Sequence, residues 1–152
     1  MRTTVLRGGC LTGPHHSSSE AHGFLSYLVR SAVHNIPYKI IGYLGKQVRD
    51  NIHTDDIISL IDQILESPNY GEVFNLGGGF SNSISILETI DLLKKDFGMN
   101  LISSYDNTER FGDHRIYYTS NQKLINRYPR WQVKKSIVDI VEDLIKEWEH
   151  RR

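Results

Sequence analysis

The sequence predicts an α/β fold in which parallel strands alternate with helices. Short β-prone runs such as Glu72–Leu76 alternate along the chain with apolar stripes at helical spacing, which is typical of parallel sheets whose strands are joined through helices. Polar capping residues stand where helices should begin, and Gly or Pro where they should end. At 152 residues the chain is long enough for one domain with its own core and too short for two large ones.

The first elements are a strand at Thr3–Arg7, a glycine-rich turn and a helix. Ser17–Glu20 has the spacing of a capping box for that helix, and Asn35 with Pro37 should end it. One face of the helix is apolar, through Ala21, Phe24, Leu25, Leu28, Val29 and Ala32.

Two short strands, Tyr38–Tyr43 and Gln47–His53, follow and are joined through Gly45. Thr54 is expected to cap a second helix, which Pro68 ends. The acidic residues in the first turn of this helix suit its dipole, and its inward face comprises Ile57, Ile61, Ile64 and Leu65.

The second half repeats the order of strand, turn and helix. Glu72–Leu76 runs into Gly77–Gly79, and Ser85 has capping-box spacing for a helix that Gly98 ends. A weaker strand at Leu101–Tyr105 and a polar loop at 109–114 come next. Ser136 should cap a final helix with inward Ile137, Ile140, Val141, Leu144, Ile145 and Trp148. A parallel sheet of only three strands, with the first strand at the very start of the chain, would leave an exposed edge and incomplete cover. We therefore expect the chain to be part of a larger domain.

Composition narrows the classes of partner. Lys and Arg together number 18, as do Asp and Glu, so no basic field indicates nucleic acid or a membrane surface. Cys10 is the single cysteine, which excludes an intramolecular disulfide and favours a reducing cytoplasm. The start of the chain has no apolar leader region, and no run approaches the length needed to span a bilayer. The expected partner is a small molecule or another protein.

Two glycine motifs resemble phosphate-binding loops only in part. Gly77–Gly79 follows a strand, but Asn82 stands where a dinucleotide fingerprint needs its third glycine, which favours a tight turn. Gly42–Gln47 lacks the first glycine of a P-loop and the Ser or Thr after Lys46. Neither motif predicts a phosphate site.

Histidine, cysteine and arginine residues are the remaining candidates for chemistry. The spacing of the histidines fits no metal motif, and no His and acid are placed to activate Cys10; these histidines are His15, His16, His22 and His53. Arg49 and Arg110 leave two alternatives open. An arginine on an alternating strand is commonly a solvated outer-face residue, but it can also hold a phosphate.

Four motifs in order resemble one known family. They are Leu6–His15, Gly42–His53, Val73–Gly79 and Arg110–His114. Together they resemble the C-terminal half of an extended short-chain dehydrogenase/reductase, the family of NAD-dependent sugar-nucleotide epimerases and dehydratases. The resemblance covers nearly the whole chain and implies the last parallel strands of an extended Rossmann-type fold plus its small substrate-binding subdomain, over residues 1–152.

The resemblance also implies roles for individual residues. Arg49 and Arg110 match the two arginines that clamp the nucleotide diphosphate, an arrangement that suits two guanidinium groups. Gln47 lies beside the segment that matches the wall against which the base rests. The residues of that wall expected to bind the substrate are Tyr38, Ile40 and Tyr43.

The loop Cys10–Pro14 matches the segment that passes near the nicotinamide and the sugar, so cofactor contacts are expected at Cys10, Leu11 and Thr12. Many relatives carry Asn at the position of Cys10. This departure indicates the branch of the family that acts on CDP-linked deoxyhexoses.

Two parts of the family pattern are absent from this sequence. No glycine-rich NAD fingerprint is present, and none of the eight tyrosines is followed four residues later by the lysine of the catalytic Tyr-x-x-x-Lys pair. The resemblance therefore predicts a C-terminal, substrate-binding portion that holds a nucleotide-diphosphate sugar, uses NAD only with an N-terminal half, and is inactive alone. Three alternatives stay open: a family member using another nucleotide, a non-catalytic binding module, and a truncated reading frame.

Overall fold

The computed structural model describes residues 2–16, 19, 23–108 and 112–151. Within these residues the chain forms eight strands and five helices. The strands are β1 (Val5–Gly8), β2 (Cys10–Thr12), β3 (Tyr38–Ile41), β4 (Val48–His53), β5 (Val73–Leu76), β6 (Ser83–Ser85), β7 (Ser103–Asp106) and β8 (Ile116–Tyr117). The helices are α1 (Phe24–Val33), α2 (Thr54–Glu66), α3 (Ile86–Phe97), α4 (Gln122–Arg127) and α5 (Ile137–His150).

Parallel pairing dominates, as the sequence predicts. β1 pairs with β5, β2 with β4, and β3 with β7, all parallel. β4 also pairs in parallel with the short β8 and antiparallel with β6. β4 is therefore flanked by three strands, and a side chain on it is positioned by several segments at once.

The first core lies between α1, α3 and α5 and receives one side of β3. Its fully buried residues include Leu28, Val29, Leu93 and Leu144. The predicted caps of α3 and α5 are confirmed: Ser85 forms a capping box with Glu88, and Ser136 forms one with Asp139. Gly98 ends α3 in the left-handed conformation.

The second core packs β1, β4 and β5 against α2 and α4. Its buried residues are Ile52, Leu60, Phe74, Leu76, Leu124, Tyr128 and Trp131. The indole Nε1 of Trp131 donates a 2.8 Å hydrogen bond to the backbone oxygen of Asp56 at the start of α2. This bond satisfies a polar group in an otherwise apolar core.

Several local predictions differ from the structure. His53, not Thr54, caps α2, because its Nδ1 accepts a 3.1 Å hydrogen bond from the Asp55 backbone N–H. The turn expected after Arg7 contains β2, and the strand bounds shift by one or two residues. α4 has too few apolar positions to show a helical stripe and was not predicted. The cap predicted at Ser17–Glu20 lies outside the described residues except for Ser19, and α1 begins at Phe24.

One strand edge of the described structure is open. Among the described strands β1 pairs with β5 alone, so its other edge keeps unpaired backbone groups. Val5 on this strand is 48% exposed. None of the helices that the structure describes has the length and apolar character needed to cross a membrane.

Candidate functional site

A cleft of about 110 Å³ opens between the start of α1, strand β3 and strand β4. Aromatic and apolar side chains form most of its walls, and charged side chains stand at its edges. The lining residues are Phe24, Tyr27, Tyr38, Lys39, Ile41, Gln47, Arg49, Ile86 and Asp113. We call this the first cleft. Of the six residues predicted from the sequence to bind the substrate, three line it: Tyr38, Gln47 and Arg49.

Arg49 is held by contacts on two sides. Its Nη1 donates a 2.7 Å hydrogen bond to the backbone oxygen of Val48, and its Nη2 pairs with the Asp113 carboxylate. The Arg49 side chain is 17% exposed. A guanidinium has five N–H donors, so further donors remain for an anion in the cleft.

Asp113 reaches Arg49 because β8 runs beside β4. The register pairs Val48 with Ile116 and Arg49 with Tyr117, and the Val48 N–H donates to the backbone oxygen of Arg115 at 2.9 Å. This pairing brings Asp113, three residues before β8, to the lining of the first cleft. The sequence showed Asp113 only as part of an Arg-x-Gly-Asp motif, without its contact to Arg49.

Gln47 has one polar atom bound and one free. Its Nε2 donates a 2.9 Å hydrogen bond to the Ile41 backbone oxygen, whereas its buried Oε1 has no hydrogen-bond partner among the described residues. Buried polar atoms are normally paired. The Oε1 atom is therefore available to accept a hydrogen bond from a molecule in the first cleft.

The aromatic wall differs in detail from the predicted one. The Tyr27 and Tyr38 rings lie 5.6 Å apart between centroids and both line the first cleft. Ile40 is 7% exposed and packs in the first core, while its neighbour Ile41 lines the cleft. Tyr43 lies in a turn outside this lining, 37% exposed, with the Arg115 guanidinium 4.9 Å from its ring centroid.

A second cleft, of about 410 Å³, adjoins the first. Arg49 and Phe24 line both clefts, so the two share a wall. The remaining lining residues are Gly9, Cys10, Leu11, Thr12, His16, Gly23, Leu25 and Asn51. The three residues predicted to contact a cofactor all line this second cleft.

The side chains along β2 have different surroundings. Leu11 is 44% exposed, whereas Thr12 is 2% exposed and its Oγ1 lies 3.3 Å from both the Cys10 oxygen and Asn51 Oδ1. Burial, and to a smaller extent the charge of Asp50, raise the pKa of the Cys10 thiol to about 11 against the opposing effect of Arg49. Cys10 is therefore an uncharged thiol at neutral pH and unsuited to nucleophilic attack.

Arg110 lies outside the described residues, and its place in a clamp with Arg49 stays a prediction. Phe24, Tyr27 and Lys39 were not predicted as site residues. Phe24 belongs to the apolar stripe of α1, so the sequence pattern predicted only a role in the core for it. Tyr27 and Lys39 carry no sequence signal that separates them from other surface residues.

Comparison with known proteins places the chain among related enzymes. A family model described as "NAD dependent epimerase/dehydratase family" matches residues 1–77. The chain is 32% identical to a CDP-paratose 2-epimerase of Salmonella typhi, over 95% of this chain and 44% of that protein.

Solved structures agree in fold. One is a UDP-glucuronic acid 4-epimerase from Bacillus cereus in complex with UDP-glucuronic acid and NAD, with a TM-score of 0.83, 24% identity, and coverage of 98% of this chain and 46% of that one. Another is a UDP-glucose 4-epimerase from Thermotoga maritima with UDP-glucose, with a TM-score of 0.81, 21% identity, and coverage of 99% and 47%. The chain thus spans about half the length of the relatives it matches.

Proposed function

Because the chain belongs to the NAD-dependent epimerase/dehydratase family, we propose that it is the nucleotide-sugar-binding portion of an epimerase acting on a CDP-linked deoxyhexose. The observation that carries this proposal is the position of Arg49, which lies on a rigid strand between two clefts. A nucleotide-sugar has a diphosphate between its base and its sugar. An arginine between a base-sized cleft and a second cleft matches that order of chemical groups.

The first cleft is proposed to hold the nucleoside. The Tyr27 and Tyr38 rings supply an aromatic wall for a planar base. The unpaired Oε1 of Gln47 would accept a hydrogen bond from a base amino or imino group. Lys39, 3.8 Å from Asp106, would donate to a base or ribose oxygen. Cytosine offers both the amino donor and the ring acceptors that such a site needs.

The diphosphate is proposed to lie against Arg49, with Arg110 as a second contact. Guanidinium groups bind phosphates through paired, charge-assisted hydrogen bonds. Arg49 already donates to Asp113 and to the Val48 oxygen, so its orientation is fixed before a ligand arrives. Such preorganisation lowers the entropy cost of binding.

The second cleft is proposed to take the sugar and the nicotinamide end of NAD. Its walls at Cys10, Leu11 and Leu25 are uncharged, which fits a nicotinamide ring, but the sequence has no glycine-rich fingerprint for the rest of the dinucleotide. When bound, NAD would supply hydride-transfer chemistry at C2 of the sugar. The residues of this chain would bind and orient the substrate.

The test is CDP binding to the 152-residue chain, measured by isothermal titration calorimetry. Arg49→Ala should weaken CDP binding at least about tenfold, because a buried charge-assisted contact to phosphate is lost. Arg130→Ala is the matched control: its side chain is 75% exposed and pairs with Glu66, and CDP affinity should not change. Equal affinity of the parent and Arg49→Ala would contradict the proposal.

The choice of nucleotide is tested separately with UDP, GDP and dTDP. CDP should bind most tightly. If another nucleotide binds more tightly and still depends on Arg49, the diphosphate site stands and the cytosine assignment is wrong.

A non-catalytic binding module is the second candidate, because no tyrosine in the sequence is followed at the fourth residue by lysine. Both candidates predict that the chain with NAD converts no CDP-sugar. Turnover by the 152 residues alone would contradict both. Restored turnover after addition of an NAD-binding half would favour the epimerase over the binding module.

A further inference from the structure

Asp50 is a buried carboxylate with an unusual set of contacts. It follows Arg49 on β4 and is 0% exposed. Its Oδ2 accepts two backbone hydrogen bonds, from the Gly79 N–H at 3.1 Å and from the Thr119 N–H at 3.0 Å. Its Oδ1, like the Thr119 hydroxyl, has no hydrogen-bond partner among the described residues. A buried carboxylate is costly unless it is well paired, so its position calls for a reason.

The glycines around Asp50 leave room for its carboxylate. A Cβ at Gly9 would lie 2.9 Å from Asp50 Oδ1 and 3.3 Å from Thr119 Oγ1, and one at Gly77 would collide with Asp50 Oδ2. The glycine-rich turn thus packs directly onto β4 at this residue. Asp50 joins three segments: the turn before β2, the turn after β5, and the chain after β8.

The contact with Thr119 matters because Thr119 lies directly after β8, and Asp113, the partner of Arg49, lies shortly before it. Successive side chains on a strand point to opposite faces, so Arg49 faces the clefts while Asp50 faces the glycine turns. β8 has two residues, a short anchor for the segment from Asp113 to Thr119. The hydrogen bond from the Thr119 N–H to Asp50 Oδ2 adds a second attachment of this segment to β4, two residues after the paired residues of β8.

We propose that Asp50 is a positioning residue, which fixes the segment from Asp113 to Thr119 against β4 so that Arg49 is held in the orientation that binds a diphosphate. The inference rests on the proposed function, since it assigns Asp50 an effect on the same anion site. Asp50 itself does not touch the ligand; it acts through Arg49.

A double-mutant cycle tests this role directly. Asp50→Ala should weaken CDP binding about tenfold in the parent chain and change it less than about twofold in an Arg49→Ala background, because residues that act through one contact are not additive. Asp50→Asn keeps an acceptor oxygen for the two N–H groups and should restore most of the affinity. Asp50→Ala should also make CDP affinity less dependent on ionic strength, as is expected for Arg49→Ala.

Asp56 provides a matched control. It is a buried carboxylate, 3% exposed, that accepts the backbone N–H groups of Lys134 and Lys135 at 3.1–3.2 Å, and it lines neither cleft. Asp56→Ala should lower the free energy of unfolding, measured in urea, without changing CDP affinity. If Asp50→Ala does not fold, CDP affinity is measured instead for Gly9→Ala, whose added methyl group would lie 2.9 Å from Asp50 Oδ1 and displace it.

The outcomes separate the two hypotheses. If Arg49→Ala retains parental CDP affinity, the proposed function is wrong. If Arg49→Ala loses affinity but a folded Asp50 or Gly9 variant does not, the positioning role alone is wrong. The positioning role is also wrong if the losses at residues 49 and 50 add in full, or if Asp56→Ala weakens binding equally.

Discussion

Arg49 combines partial burial with two fixed contacts, which distinguishes it from an ordinary surface arginine. Its side chain is 17% exposed and its guanidinium is oriented by Asp113 and by the Val48 oxygen. An exposed arginine would lose side-chain entropy on binding an anion, and Arg49 has already lost most of it. At the scale of one residue, these contacts and the 17% exposure exclude the solvated outer-face alternative, and the preorganised guanidinium supports the proposed binding role.

Cys10 gives a prediction about reactivity. Burial raises its pKa to about 11, so the thiolate fraction at pH 8 is far smaller than for a free thiol. Iodoacetamide should modify the folded chain at least about tenfold more slowly than the urea-unfolded chain, allowing for the higher nucleophilicity of a more basic thiolate. The rate for the folded chain should rise with pH up to about 11. Cys10 is the single cysteine, so mass spectrometry reports its modification directly, and equal rates in both states would contradict the prediction.

At the scale of elements, helix starts show which signals act locally. Ser85 and Ser136 cap α3 and α5 as their capping-box spacing predicts, since every atom involved lies within four residues. At α2 the cap is the ring of His53, the last residue of β4. The Nε2 atom of this ring lies 3.6 Å from Asp143 Oδ2 on α5. That cap depends on tertiary packing, so a local pattern favoured Thr54 instead.

Ser85→Ala should lower the free energy of unfolding by about 1 kcal/mol, because the Glu88 N–H loses its acceptor. The Ser85 hydroxyl and backbone N–H hold the pKa of Glu88 below the 4.5 of an unperturbed glutamate. The resulting stabilisation is present above pH 4.5 and is lost as the pH falls through the folded-state pKa. The free energies of unfolding of parent and variant, measured in urea, should therefore differ more at pH 7 than at pH 3.

The control is Ser120→Ala, at an exposed serine, which should change the free energy of unfolding by less than about 0.5 kcal/mol. An equal effect of both substitutions would contradict the capping role.

At the scale of the whole molecule, a polar link joins the two cores. His53, at the end of β4, presents Nε2 to Asp143 on α5, and Asp143 also accepts a 2.8 Å hydrogen bond from Lys135 Nζ. His53 is 1% exposed. Because its Nδ1 accepts the Asp55 N–H, the ring proton lies on Nε2 and faces the Asp143 carboxylate.

Asp143→Ala should lower the free energy of unfolding by about 1 kcal/mol, since it removes the carboxylate that lies 3.6 Å from the buried His53 Nε2 and accepts the Lys135 hydrogen bond. The measurement is urea unfolding followed by both tryptophan fluorescence and circular dichroism. Asp91→Ala is the control: Asp91 is 68% exposed and pairs with Lys95 one turn away on α3, so its loss should cost less than about 0.5 kcal/mol. Indistinguishable stabilities for the two variants would show that the link contributes nothing.

The sequence by itself determined the alternation of the longer strands with helices α1, α2, α3 and α5, the parallel pairing, the caps of α3 and α5 and the family. These features rest on local patterns or on motifs that are contiguous in the chain, such as Gly42–His53. The motifs also identified Gln47 and Arg49, since an arginine on a strand is visible in a sequence.

Only the tertiary structure decided which side chains meet. The contact of Arg49 with Asp113 spans 64 positions along the chain, and that of Asp50 with Thr119 spans 69. Both depend on the register of β8 beside β4, and a two-residue strand carries no periodic signal. The shared wall of the two clefts has the same origin, because α1 and β4 approach each other through packing and not through any local propensity.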